Sequence, residues 1–98
     1  MACAIGMAAL DALIDEKMVE NSAEMGKLLL DKLKEFKFDY IKEVRGRGLF
    51  CAIEFVPKGQ PGHVDAYEFC YKLRDYGLLA KPTHDNIVRL LLTIYNKP

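Results

Sequence analysis

With 98 residues, about half of them apolar, the chain has material for one domain with one modest core. Fourteen basic residues balance fourteen acidic ones, so no general nucleic-acid or anionic-membrane binder is indicated. No apolar run reaches the roughly 20 residues needed to span a bilayer.

The opening MACAIGMAAL lacks the basic flank of a signal peptide and the arginines of a transit peptide. It reads as helix interior, so the chain is expected to begin inside a larger protein. From Ala2 to about Glu16, strong helix formers present a wide apolar face with Ile5, Ala8, Ala9, Ala12 and Leu13. Gly6 among small residues would let another backbone approach. A bend is predicted at Asp15–Lys17, although one long kinked helix fits the same residues. A second helix is predicted from about Met18 to Phe36, with Met25, Leu29, Leu30 and Leu33 inward and Lys27, Asp31 and Lys34 outward.

From Tyr40 to Val56 the pattern turns to strand. Leu49, Cys51, Ile53 and Phe55 alternate with Phe50, Ala52 and Glu54, as in a half-buried strand. The preceding Arg45-Gly46-Arg47-Gly48 predicts a bulge or a close backbone approach. Pro57–Gly62 is a loop by composition. A third helix is predicted from about Val64 to Tyr76, with Gly77 at a left-handed C-cap. Leu78-Leu79-Ala80 is a short apolar run expected to be a strand, Lys81–Asn86 reads as a tight polar connection, and Ile87–Ile94 is an apolar strand interrupted by Arg89. A strand so apolar should be covered on both faces. The predicted fold is α+β, with helices on one face of a small, mainly antiparallel sheet. Cys3, Cys51 and Cys70 lack metal-type spacing and are expected to be buried, reduced thiols of an intracellular protein.

His84 beside Asp85, with Thr83 as nucleophile, would offer general-base chemistry. Adjacent turn residues rarely face each other, however, and a solvated histidine accounts for the pattern. A helix-entry or surface role suffices for His63. Lys81, at the end of an apolar run, could form a Schiff base only if its amine were desolvated or crowded by charge. The RGRG stretch lacks the loop-to-helix context of a phosphate site and any aromatic platform for RNA. Arg89 needs an explanation, because a cation within an apolar strand requires an anionic partner or a route to water. It is either a structural ion pair, an edge residue facing water, or a guanidinium fork gripping a carboxylate or phosphate.

The blocks AIGMAALDALIDEKMVENSAEMGKLLLDKL, VRGRGLFCAIEF and LRDYGLLAKPTHDNIVR, spanning about Ala2 to Arg89, resemble the C-terminal small domain of the class III aminotransferases. Within that family the match is closest to its ornithine-specific members. The resemblance implies a fold type I transferase moving the δ-amino group of ornithine to 2-oxoglutarate through pyridoxal phosphate. It implies that residues 1–98 are one small domain and that residues 1–17 lead from a large domain, the domain's main partner. The cofactor lysine and phosphate cup would lie in that large domain, leaving no catalytic, cofactor-binding or metal-binding residue here. The arginine after the KPTH turn is the family's carboxylate anchor and maps onto Arg89. A homodimer is implied, with amino-acid and 2-oxo-acid substrates and no nucleic-acid or membrane partner. The compartment is implied to be the mitochondrial matrix or the cytosol. Two features depart from the family. Asp85 stands for the usual glycine, and Leu90-Leu91-Leu92-Thr93-Ile94 replaces a small residue and two prolines that lead to a final helix. Other readings are a non-catalytic interaction domain, an anion-binding module on Arg89 and the RGRG stretch, and an acetylornithine- or 4-aminobutyrate-type family member.

Overall fold

The computed structural model describes residues 1–91. Two helices, α1 (Ala2–Asp15) and α2 (Met18–Glu35), precede a hairpin of β1 (Ile41–Arg47) and β2 (Phe50–Phe55). Then come α3 (Ala66–Asp75), β3 (Lys81–Thr83) and β4 (Ile87–Leu91). The four strands form one sheet in the order β1-β2-β4-β3, with every neighbouring pair antiparallel. The predicted α+β class is therefore the observed one.

Alternation along the strands divides the sheet into two faces. Cys51, Ile53 and Phe55 of β2 and Val88 and Leu90 of β4 point to one side, where they are buried with Ala66 and Cys70 of α3. Leu29, Leu30 and Leu33 of α2 and Phe69 and Leu73 of α3 pack against this cluster. A chain of ring contacts runs Phe36–Phe38–Tyr40–Phe55–Phe69, with centroid separations of 6.1, 5.0, 6.2 and 4.8 Å.

The bend at Asp15–Lys17 is present, with Lys17 in the left-handed region at φ 50°. The expected single strand from Tyr40 to Val56 is instead a hairpin. Gly48, at φ 57°, takes the first place of a two-residue loop whose second residue is Leu49, the arrangement a type II′ connection requires. The same glycine meets α2: a methyl on Gly26 would overlap the Gly48 carbonyl, and the Leu49 N–H donates to Ser22 Oγ at 3.2 Å. The bulge in this hairpin falls between Ile41 and Glu43, ahead of the glycines.

α3 starts later than expected because Asp65 caps it, its carboxylate accepting from the N–H groups of Tyr67 (2.8 Å) and Glu68 (3.3 Å). Gly77 ends it at φ 89°, as predicted. The next strand occupies Lys81–Thr83 rather than the apolar run before it, because Pro82 can pair beside Val88 at the sheet edge, where its missing N–H costs nothing. The last expected strand is described to Leu91, and Leu92–Ile94 lie outside the described residues.

Two further expectations are corrected. β4 is covered on one face only: Leu91 and Phe50, paired across the other face, are 76% and 52% exposed. Cys3 is exposed, unlike buried Cys51 and Cys70, because no residue of α1 is buried. All three thiols are free, and burial raises the pKa of Cys51 and Cys70.

Candidate carboxylate-binding site

Val88 and Leu90 point into the core, so Arg89 between them must point to the open face. On that face the register aligns Arg45, Ala52, Arg89 and Lys81 in one row across the four strands. Ala52 is the small member of the row and leaves room for the guanidinium beside it. Phe50 and Leu91 form the next pair along. Together with Leu79 and Ala80, which lead into β3, these residues enclose a cavity of about 440 Å³ around Arg89 and Lys81.

Arg89 is half-buried, and its Nε is fully buried with no hydrogen-bond partner among the described residues. An unsatisfied buried donor costs about 1–3 kcal/mol, more when charged. The carboxylates on this face are engaged elsewhere. Glu54 accepts from Lys42 Nζ at 2.9 Å and from Arg45 at 2.7 Å, and Arg45 also reaches Glu43 at 3.0 Å. Hydrogen bonds from Lys42 and then Arg45 hold the Glu54 carboxyl below the usual carboxylate range. Its bond to Glu54 is the largest cause raising Arg45 above the ordinary arginine value. Arg89 is thus neither a structural ion pair among the described residues nor an edge residue, since β4 lies between β2 and β3.

The other sequence candidates do not join it. His84 and Asp85 are exposed in the β3–β4 turn, where His84 takes φ 53° and the Asp85 carbonyl accepts from the Ala66 N–H at 2.9 Å. No hydrogen bond links His84, Asp85 or Thr83 side chains to one another. His63 is placed by its Nδ1, 2.8 Å from the Val56 carbonyl. A carbonyl can only accept, so Nδ1 carries the proton. Of the RGRG stretch, Arg45 is held by glutamates and Arg47 lines a separate cavity beside Ser22 and Gly48. Sequence reasoning missed the Lys42–Glu54–Arg45 network and the pairing of Lys81 with Arg89. Both depend on cross-strand register, which no local signal in the chain specifies.

A family model described as aminotransferase class-III matches residues 1–96. The chain is 52% identical over 93 residues to the mitochondrial ornithine aminotransferase of Arabidopsis thaliana, covering 92% of this chain and 19% of that protein. It is 51% identical over 89 residues to a probable mitochondrial ornithine aminotransferase of Caenorhabditis elegans, covering 91% of this chain and 20% of the relative. The chain therefore spans about a fifth of the length of these curated relatives. Among solved structures, the acetylornithine aminotransferase of Elizabethkingia anophelis superposes with a TM-score of 0.87 at 39% identity, covering 98% of this chain and 24% of that one. The ornithine aminotransferase of Toxoplasma gondii, described with partial occupancy of PLP at its active site, gives 0.85 at 33% identity over 96% of this chain and 22% of its own.

The described residues do not fit pyridoxal phosphate by themselves. Lys81 is exposed, and no acidic residue lines its cavity to face a pyridine nitrogen.

Proposed function

Because the chain belongs to the class III aminotransferases, we propose that it serves as the C-terminal small domain of an ornithine aminotransferase. The whole protein would move the δ-amino group of ornithine to 2-oxoglutarate, giving glutamate semialdehyde and glutamate. This domain's share is to bind and orient substrate: the Arg89 fork holds a substrate carboxylate, and the sheet fixes its direction. The amino-transfer chemistry belongs to pyridoxal phosphate held by the rest of the protein, including the lysine that carries it. A large domain against α1 and a homodimer complete the arrangement.

One observation carries the reading. Among the described residues the buried Arg89 Nε lacks an acceptor beside a cavity, and the resemblance to the family implies a carboxylate anchor at this arginine. A planar fork meets a carboxylate at two points, which an ammonium does not. In the whole protein, Arg89→Lys is expected to lower kcat/KM for 2-oxoglutarate about 10- to 100-fold, corresponding to the roughly 1.5–3 kcal/mol of a charged hydrogen bond. Unchanged kcat/KM would overturn the assignment. The 98-residue chain alone, given ornithine, 2-oxoglutarate and pyridoxal phosphate, is expected to show no turnover; measurable glutamate semialdehyde would contradict this division of labour.

The exposed apolar side chains of α1 favour a second reading, a non-catalytic interaction domain. Ile5, Met7, Leu10 and Ile14 are all more than 60% exposed. Stable complexes without any large domain, together with no effect of Arg89→Lys on any transamination, would support it.

A further inference from the structure

We propose that Lys81 is the second cation of the Arg89 site, and that the two together bind a carboxylate ligand whose apolar part lies against Phe50, Leu79 and Leu91. This rests on the reading of Arg89 as a carboxylate anchor.

Lys81 and Arg89 are direct cross-strand partners in the β3–β4 ladder. Their side chains leave the same face and line the same cavity. Like charges placed opposite each other on a sheet are destabilising unless an anion lies between them. The other half of this face supplies that anion internally, since Glu54 bridges Lys42 and Arg45. The Arg89–Lys81 half has no carboxylate among its lining residues, and no described residue accepts from either cation. An anion in the cavity would relieve the repulsion and satisfy the guanidinium together.

The remaining walls say which anion. Phe50, Leu79 and Leu91 are exposed apolar side chains bordering the two charges. A ligand with a carboxylate on a hydrocarbon stem covers them, whereas inorganic phosphate leaves them wet. The division of labour follows from side-chain chemistry. Arg89 fixes direction through its fork, and exposed Lys81 adds a mobile point charge at the rim. Lys81 is therefore a positioning and affinity residue, with no covalent role.

The test is titration of the 98-residue chain with succinate and separately with inorganic phosphate, followed by amide chemical shifts. Lys81→Gln is expected to weaken succinate binding about three- to fivefold at low salt, the scale of one exposed charge. Lys81→Arg should restore it, and the deficit should shrink as salt screens the rim charge. Arg89→Gln should abolish binding, with Arg89→Lys as the check that keeps the charge in the strand. Loss on Arg89 substitution with no effect of Lys81→Gln would overturn the role of Lys81 and leave Arg89 as anchor. Succinate binding indifferent to both Arg89 variants, or no succinate binding, would overturn the anchor reading and this proposal with it. Phosphate binding tighter than succinate, unaltered by Phe50→Ser, would overturn the carboxylate assignment.

Discussion

At the scale of single residues, the open face of the sheet separates cations that have found carboxylates from those that have not. Lys42 and Arg45 share Glu54, whereas Arg89 has a buried nitrogen without an acceptor among the described residues. The Glu54 pair sets a sign for pH. A carboxyl held below its ordinary value contributes stability fully above the unfolded glutamate value, about 4.3, and loses it as pH falls through the depressed folded value. The stability gap between wild type and Glu54→Gln is thus expected to be constant at neutral pH and to close in acid. Denaturant titrations across pH measure it, and a gap that widened in acid would contradict the network. Arg89 itself was legible in the sequence, because a lone arginine in the apolar stretch 87–94 is conspicuous by type. Its neighbours were not. Lys81 lies eight positions away across the turn at 84–86, and only the register puts it opposite Arg89.

At the scale of elements, one close contact sets α2 against the hairpin and one side-chain cap starts α3. Gly26 and Gly48 bring α2 onto the hairpin loop with no room for a side chain. Gly26→Ala should cost about 1–3 kcal/mol, since the obstacle is backbone rather than a flexible side chain. Asp65→Ala should cost about 1 kcal/mol by leaving two N–H groups of α3 uncapped. Urea unfolding of each variant checks both values, and a neutral Gly26→Ala would mean that α2 does not press on the loop. These elements also show what a sequence discloses. Three helices and the buried set Cys51, Ile53 and Phe55 follow from periodicity, which is a local property. The hairpin at Gly48 was hidden because the apolar alternation resumes immediately after it. β3 was hidden because Lys81-Pro82-Thr83 looks like a turn until β4 is present to pair with it.

At the scale of the whole molecule, the chain is longer than one compact domain would be. Its radius of gyration is 16.3 Å and its longest extent 52 Å, against about 13 Å expected for a compact chain of this length. The excess belongs to α1, which has no buried residue and only Ala12 and Leu13 half-buried among its larger inward positions. Replacing Leu10 and Ile14 by lysine should therefore change the stability of the isolated chain by less than about 0.5 kcal/mol. The same pair of substitutions should impair the whole protein, where that face has a surface to meet. Loss of stability in the isolated chain would show that α1 already packs here. The proposed role of this domain is to supply a carboxylate anchor and leave the chemistry to the rest of the protein. Its most direct measurement is the Arg89 Nε–H resonance of the ¹⁵N-labelled chain during titration with 2-oxoglutarate. A saturable shift and slowed exchange at Arg89, with Arg45 unmoved, is the expected result. No change at Arg89, or a response at Arg45 and Arg47 instead, would contradict it.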